Sequence, residues 1–503
     1  MASMASYPSA AFARPQARPA LVTALVLVAA GLILRGPHFG DPSYHVDEAF
    51  YLHFADQMLN GAIPYVDIWD RKPIGLFVLY AGFLLFGGDG IIQYQIAATA
   101  AAVGTAFLIA LMARRQCGWT ASCAAGIVYM ASLEPLWGGG GQSPIFYNVM
   151  VAGSALLTMR ACDASDVRRI GLLGVAAMLL CGIAIQIKYP VLVEGCFLGL
   201  VLLWQIWTRT GRIAQIVKWG AAFALCGLLP TAAAIGVYAW IGHLDAFWFA
   251  NFTSIMLRPP TEGPNIARRL FKIALIVLPL AALAIYVVAT RVRAGAGPDR
   301  QTRFLILWIV AAVIGFALIG TFYRHYALPL LVPFAIAGAP LFERPRTGLA
   351  IAGLLTAWPL ILAGYPGWSA RDSRAATMHL AQSTRDHLGE GCLMVYDGPP
   401  ILFHLADACY LTPYIFPYHL NAAVEETGLG VDPEDEMRRI LGRRPTVIVT
   451  AAKPAIKPNR ENDRMLREAL RRDYRPVDAQ SVRGRIFIVH ALKDRRAAAN
   501  PRG

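Results

Sequence analysis

The chain has 503 residues, of which 56% are hydrophobic and only 16% are charged. Soluble domains average about 25% charged residues, so the composition excludes an ordinary soluble protein. The charges lie between apolar runs of about 15 to 25 residues, which predicts a polytopic α-helical membrane protein. The net charge of +14 is explained by arginines in cytoplasmic loops and near lipid headgroups, and no nucleic-acid partner is expected.

The N-terminal segment sets the predicted orientation. Residues 1–20 are rich in Ala, Ser and Pro and carry Arg14 and Arg18, so they are predicted to form a disordered cytoplasmic tail. The apolar run Leu21–Leu34 resembles a signal-peptide core, but no small-residue cleavage site follows it. We interpret it as an uncleaved first span, which places the loop over residues 35–75 outside the cytoplasm.

That loop contains the longest polar-rich stretch in the first third of the chain, from Tyr44 to Gly75. An acidic pair, Asp47-Glu48, opens an amphipathic segment that ends before Gly61, a plausible C′ residue. The pattern predicts a helix of about 14 residues lying along the membrane surface. Asp47 is then either a simple N-cap or a functional carboxylate. On this helix it shares the apolar, inward face, whereas Glu48 belongs to the polar face. The apolar positions are Phe50, Tyr51, Phe54, Ala55, Met58 and Leu59, and the polar ones also include His53, Asp56, Gln57 and Asn60.

The positive-inside rule indicates how the later spans thread. If the run 73–88 does not cross, because it is short and begins at Lys72-Pro73, five arginine groups fall on the cytoplasmic side. We therefore expect about 11 to 13 transmembrane helices, with 11 preferred and 73–88 juxtamembrane or re-entrant. The loop 242–272 disagrees, since it would lie outside yet carries Arg258, Arg268, Arg269 and Lys272: either these bind anionic lipid or the threading is wrong there. The other predicted runs are 92–113, 119–136, 145–159, 170–187, 189–207, 213–241, 271–289, 304–322, 326–342 and 348–364.

After Leu362 the composition changes, so residues 21–365 are predicted to form the transmembrane domain and residues 366–503 a small extracytoplasmic α/β domain. Cys392 and Cys409 would pair if this region lies in an oxidising compartment, and the sequence leaves the bond open. The predicted strands are Leu393–Tyr396, Thr446–Thr450 and Arg485–Val489, and the predicted helices are Arg374–Leu388, Glu434–Leu441 and Asn462–Arg472.

Polar groups recur at the predicted outer ends of the spans. A mid-membrane Lys or Arg costs about 2.5–3.5 kcal/mol on insertion scales, so each should lie at the interface or face a polar cavity. Each cation taken alone is explained by snorkelling to the headgroups; taken together, on one side and near a carboxylate pair, they favour an anion site. No P-loop, zinc-ligand spacing or nucleophile elbow is present. Besides Asp47 and Glu48, the candidate residues are Asp67, Asp70, Arg71, Lys72, Lys188, Tyr189, Arg324, His325 and Tyr326.

The sequence VDEAFYLHFADQMLNGAIPYVDIWDRKPIG resembles the first extracytoplasmic loop of family 39 glycosyltransferases of the GT-C superfamily. These include aminoarabinose transferases of lipid A, rhizobial lipid A galacturonosyltransferases and protein O-mannosyltransferases. The shared pattern is Asp-Glu opening a juxtamembrane helix, then Gly, an aromatic residue and Lys-Pro. GIAIQIKYP and YRHYALPLLVPFAI are similar to later family spans, and the resemblance covers most of residues 20–365.

The resemblance implies a hexosyl- or pentosyltransferase that transfers a sugar with inversion from a polyprenyl phosphate to an envelope acceptor, outside the cytoplasmic membrane. The acceptor would be lipid A, another envelope glycan or a protein. Asp47 would be the general base. Lys72, Lys188 and Arg324 would neutralise the leaving phosphate. Two positions depart from the family pattern: Ser143 stands where many relatives carry an acidic residue, and Arg71 stands where the aminoarabinose enzymes have Glu.

Two other classes of function stay open from the sequence. A transporter or flippase of a lipid-linked or anionic solute would use the same cations for binding, but it usually has internal repeats and broken midplane helices, and no repeat is evident. A non-catalytic scaffold would use Asp47 only as a cap. The sequence names no cofactor or metal ligand set and leaves a divalent metal open. The expected location is the inner membrane, in contact with its lipids.

Overall fold

The computed structural model describes residues 17–260, 263–293, 299–365 and 369–494. Most of the tail predicted over residues 1–20 lies outside these ranges. The α-helices are α1 Ala17–Arg35, α2 Val46–Leu59, α3 Ile74–Leu84, α4 Ile91–Ala113, α5 Trp119–Leu133, α6 Ser143–Asp163, α7 Val167–Ile185, α8 Val191–Thr210, α9 Ile213–Trp240, α10 Leu244–Trp248, α11 Ser254–Leu257, α12 Gly263–Arg293, α13 Arg300–Leu318, α14 Leu331–Gly338, α15 Gly348–Ala363, α16 Ser369–Leu388, α17 Ile401–Leu405, α18 Pro417–Asn421, α19 Pro433–Gly442 and α20 Arg460–Asp473. The strands are β1 Leu393–Val395, β2 Val447–Ala451, β3 Tyr474–Val482 and β4 Arg485–Leu492.

The chain divides into two compact units. The first, called the span unit, comprises residues 1–37, 96–233 and 262–366, and the second, called the loop unit, comprises residues 38–95, 234–261 and 367–503. The sequence analysis assigned the loop 35–75 to a transmembrane domain ending at residue 365. The structure instead groups most of that loop with the C-terminal region, because these segments contact one another across long sequence separations.

The span unit is a bundle of long apolar helices. Within the described residues, nine stretches are long and apolar enough to cross a membrane, and they correspond to α1, α4, α6 to α9, α12, α13 and the segment Arg324–Glu343. The other two predicted crossings are also helical, but α5 has 15 residues and α15 has 16, shorter than the roughly 20 that a typical bilayer requires. The expectation of a polytopic helical membrane protein is confirmed.

The loop unit begins with the predicted amphipathic helix. α2 has the expected 14 residues, with Asn60 as its C-cap, and Gly61 follows at a φ of +96°, where a residue without Cβ is favoured. α3 has 11 residues and is therefore about 16 Å long, roughly half the hydrocarbon thickness of a bilayer. This length fits the expectation that the run 73–88 does not cross.

The C-terminal part of the loop unit contains a four-stranded mixed sheet in the order β1-β2-β4-β3. β1 pairs with β2 in parallel, and the other neighbours are antiparallel. The three predicted strands and the three predicted helices are all present. The sequence analysis missed β3, an edge strand that contains Pro476 and a register shift beside it. Polar edge strands with proline carry little of the usual strand pattern.

A disulfide joins Cys392 to Cys409, with 4.7 Å between their Cα atoms. The bond connects the residue before β1 to a loop that follows α17, so it closes the segment containing that helix. The pairing that the sequence left open is therefore formed in the structure. Its 17-residue separation corresponds to a stabilisation of about 3 kcal/mol in the chain-entropy description of disulfides.

Candidate active site

The start of α2 differs from the expected arrangement. His45, rather than Asp47, is the N-cap: its Nδ1 accepts a hydrogen bond of 3.2 Å from the backbone N–H of Asp47. Burial lowers the pKa of His45, partly offset by the charge of Asp47, so the imidazole is neutral and fits the acceptor role. The interpretation of Asp47 as a simple N-cap is therefore wrong.

The two carboxylates of the acidic pair lie in different surroundings. The side chain of Asp47 is 14% exposed, whereas Glu48 is fully buried at 0%. The predicted faces of α2 are therefore wrong at this point, because residues of the C-terminal region cover the side assumed to be polar. Phe403, for example, stacks on His53 with 5.5 Å between the ring centroids. Asp47 is the more exposed of the two carboxylates.

Lys72 is held in a cradle of opposite charge and aromatic rings. Its Nζ lies 2.7 Å from Asp70 Oδ2, 5.0 Å from the Tyr51 ring centroid and 5.5 Å from that of Phe416. Asp70 is buried, and its other oxygen accepts the backbone N–H of Arg71 at 2.6 Å. The Lys72 side chain stays 23% exposed, so the ammonium is oriented by Asp70 and still accessible.

Asp47 and Lys72 are brought together around His45. Both side chains act electrostatically on the His45 imidazole: the carboxylate raises its pKa, and the ammonium lowers it. Arg483 contributes a further positive charge at the same ring. The first loop thus presents an accessible carboxylate and an accessible cation within one electrostatic neighbourhood.

Arg71 belongs to a separate buried ion triad. Its Nη2 lies 2.8 Å from Glu425 Oε2, and Arg258 Nη2 lies 2.9 Å from Glu425 Oε1. Arg71 Nε also donates to Ser254 Oγ at 3.2 Å. These contacts favour a bracing role for Arg71, between the first loop and the segment around α11, over the substrate contact predicted from the sequence. Arg258, whose charge disagreed with the predicted threading, thus has an ion-pair partner inside the protein.

The triad predicts a specific cost for neutralising Glu425. In Glu425→Gln, two arginines lose the carboxylate that compensates them, and breaking such a buried pair typically costs 3–5 kcal/mol. We expect the free energy of unfolding to fall by about 3 kcal/mol, measured by thermal unfolding in detergent. Glu426→Gln is the matched control, because that side chain is exposed. Equal unfolding midpoints for the two variants would contradict a stabilising triad.

Asp67 makes a local hydrogen bond to the backbone in the structure. Its Oδ2 accepts the backbone N–H of Ile63 at 2.6 Å, which closes the turn between α2 and the following residues. This is a typical aspartate turn contact. The substrate role predicted for Asp67 therefore has less support than that of Lys72.

The remaining predicted site residues lie in the span unit, where four of them share one aromatic cluster. The Lys188 Nζ lies 3.9 Å from the Tyr326 ring centroid, and the Arg324 guanidinium lies 5.4 Å from that of Trp137. His325 is buried and meets Tyr326 edge to face at 4.4 Å. A 3-10 helix, Arg324–Leu330, positions three of these side chains. Tyr189, next to Lys188, is half-buried.

The cluster thus holds two cations against aromatic rings, an arrangement worth roughly 0.5–2 kcal/mol per contact. Arg324 also donates to the Pro135 carbonyl at 3.3 Å. These contacts place both cations against aromatic rings. They fit either phosphate binding or placement at the membrane interface.

The sequence analysis missed Arg35, which organises the glycine-rich loop of the span unit. Arg35 is buried at the end of α1 and donates to the carbonyls of Gly138 and Gly140 at 2.5 and 2.6 Å and to Thr99 at 3.2 Å. An arginine at the end of a predicted span reads as a snorkelling residue, so no local pattern reveals this role. Ser143, which begins α6 after that loop, is also buried, and this favours packing over a substrate contact.

Comparisons with known proteins show which solved structures share this fold. No family model matches the sequence, and no curated protein sequence matches it. Among solved structures, the chain is similar to ArnT from Cupriavidus metallidurans in the apo state, with a TM-score of 0.62, 16% identity and coverage of 94% of this chain and 98% of that one. ArnT bound to undecaprenyl phosphate gives a TM-score of 0.60 at 15% identity, covering 94% and 97%.

The chain is also similar to the apo oligosaccharyltransferase from Archaeoglobus fulgidus, with a TM-score of 0.51, 10% identity and coverage of 86% and 69%. The architecture is that of a multi-span membrane protein with a small C-terminal sheet. Its fold is that of the GT-C superfamily of glycosyltransferases. The fold expected from the first-loop motif is confirmed. At sequence identities of 16% and 10%, the structural similarity supports a shared fold only.

Proposed function

We propose that the protein is a membrane glycosyltransferase that transfers a sugar from a polyprenyl-phosphate donor to an envelope acceptor. The observation that carries this proposal is that the Asp47 carboxylate and the Lys72 ammonium, which is itself paired with Asp70, both act on the His45 imidazole in the first loop. The bound undecaprenyl phosphate of the structurally similar ArnT supports a polyprenyl carrier. The similarity to transferases also favours this function over transport of a lipid-linked solute.

The proposed reaction divides the work between the two charged side chains. Asp47 accepts the proton of the acceptor hydroxyl as its oxygen attacks the anomeric carbon from the face opposite the phosphate. The bond between that carbon and the phosphate oxygen breaks, and its electron pair leaves with the polyprenyl phosphate. Lys72 stabilises the developing negative charge, with Asp70 fixing the ammonium position. One displacement on one face gives inversion at the sugar.

The cations of the span unit are assigned the same substrate chemistry as a proposal. Lys188 and Arg324 would contact the donor phosphate, and Tyr189, His325 and Tyr326 would contact other parts of the substrates. The cluster supports this assignment because its aromatic rings hold both cations in place.

We place the reaction on the outer face of the inner membrane. The arginine distribution of the predicted spans and the Cys392–Cys409 bond, which is typical of an oxidising compartment, support this orientation. A reporter fused after Ala113 should lie in the cytoplasm, and one fused after Ser369 should lie outside. Reversal of both reporters would contradict the orientation.

Mass analysis of the envelope tests the function and narrows the acceptor. A strain lacking the protein should lose a hexose or pentose from lipid A, another envelope glycan or a secreted protein, while the corresponding polyprenyl-phosphate sugar accumulates. Purified protein in detergent should restore the transfer, because chemistry does not require a sealed membrane. A transporter would show no transfer in detergent, and that result would overturn the proposal.

A further inference from the structure

A second group of titratable side chains converges in the loop unit, apart from the residues assigned to sugar transfer. His53 and Asp56 are three positions apart on α2, so they lie on the same side of the helix. His404 of α17 meets them there, with its Nδ1 3.3 Å from Asp56 Oδ2. One ligand atom from each of the three residues lies within 4.8 Å of the others.

His53 is the least usual member of the group. Its side chain is only 1% exposed, and neither ring nitrogen has a hydrogen-bond partner within the described part of the chain. Leaving a buried polar group unsatisfied typically costs about 1–3 kcal/mol. Burial disfavours the charged form of an imidazole, so the ring is neutral and keeps a lone pair. A neutral imidazole is the form that binds metals.

The orientation of His404 adds an independent argument. Its Nε2 lies 3.0 Å from the backbone carbonyl oxygen of Asp89, so this nitrogen carries a proton and donates it. Metal-binding histidines usually donate their second N–H to a carbonyl or carboxylate in this way. The other nitrogen, Nδ1, then presents its lone pair to the Asp56 carboxylate. Two such acceptors repel each other, so the contact is favourable only when a cation lies between them.

We propose that His53, Asp56 and His404 form a binding site for a divalent transition metal of the Zn²⁺ type. Two imidazole nitrogens and one carboxylate oxygen are a common zinc ligand set, and water would complete the tetrahedron. The metal would fasten α2 to α17, two helices from distant parts of the sequence. Because this role is structural, the site does not depend on the proposed sugar transfer.

The competing explanation places a proton where the metal would be. Although burial opposes it, the hydrogen bond and charge of Asp56 raise the pKa of His404, and the protonated ring would form an ion pair with Asp56. His53 would then be an aromatic packing residue, since it stacks on Phe403 at 5.5 Å and meets Tyr410 edge to face. This explanation leaves both nitrogens of His53 without a function.

Metal binding by the purified full-length protein distinguishes the two explanations. The protein would be prepared without a polyhistidine tag, stripped with chelator and titrated with Co²⁺, whose ligand-field absorption reports a tetrahedral site, followed by competition with Zn²⁺. We expect one Co²⁺ per chain. His53→Phe keeps the stacked ring but removes the ligand, so the affinity should fall by at least about 10- to 100-fold, the range already seen for residues that only support a metal ligand.

A similar pair elsewhere in the loop unit supplies the matched control. His379 Nδ1 lies 3.1 Å from Asp478 Oδ2, and no third ligand completes this pair among the described residues. His379→Gln should therefore bind Co²⁺ like the wild type. If His53→Phe fails to fold, Asp56→Asn decides, because that side chain is 29% exposed. Absence of Co²⁺ binding in the wild type would overturn the site. So would Asp56→Asn and His404→Gln variants that bind Co²⁺ as tightly as the wild type.

Discussion

Replacing Asp47 by asparagine is expected to reduce sugar transfer by about 100-fold or more while leaving the abundance of the protein nearly unchanged. The expected protein level follows from the structure, because His45 rather than Asp47 is the N-cap of α2. The expected loss follows from the chemistry, because an amide has the size of a carboxylate but cannot accept the acceptor's proton. Single-turnover transfer with purified enzyme, normalised to folded protein, measures the effect.

The neighbouring carboxylate provides the control. Glu48 is fully buried beside Tyr94, so it cannot approach an acceptor hydroxyl within the roughly 2.6–3.2 Å that proton transfer requires. Glu48→Gln should lower stability but leave the turnover of the folded fraction largely intact. Near-normal transfer by Asp47→Asn together with an inactive Glu48→Gln would assign the base to Glu48 instead.

Elements governed by local pattern could be predicted from the sequence. The 14 residues of α2 follow from helical spacing and a terminal glycine, and three of the helices and three of the strands after residue 369 follow from alternating composition. Residues 92–113 and similar runs form helices because nothing but a long apolar segment suits a bilayer. β3 escaped prediction because a polar edge strand with Pro476 lacks such a pattern.

The environment of individual side chains could not be predicted, because it depends on partners far along the chain. The helical pattern placed Glu48 and His53 on the polar face of α2, but both side chains are buried in the structure. Arg71 looked like a substrate contact because Glu425, its ion-pair partner, is separated from it by most of the sequence. The choice of Asp47 over Glu48 stays a prediction, but its reason changes: the sequence pattern placed Asp47 on the inward face, whereas in the structure Asp47 is the more exposed of the two.

The contrast between Lys72 and Arg71 has a mechanistic consequence. Both are cations of the same short segment, yet Lys72 is paired with Asp70 in a partly open aromatic cradle, whereas Arg71 is committed to Glu425. A cation that assists departure of the phosphate must reach the donor. Of these two side chains, only Lys72 combines a fixed position with sufficient exposure.

Lys72→Met is therefore expected to lower kcat/KM for the polyprenyl-phosphate donor by about 100-fold, the lower end of what losing one stabilising group for a developing charge costs. Lys72→Arg should recover part of the activity, because it restores the charge in a different shape. Arg71→Met is the matched control: it removes one arginine from Glu425, so the unfolding midpoint should fall while the folded enzyme keeps most of its donor kinetics. The decisive measurement is donor kinetics beside thermal unfolding for the three variants. If Lys72→Met loses stability as much as Arg71→Met and keeps its donor kinetics, Lys72 is a packing residue and the phosphate contact must come from another cation.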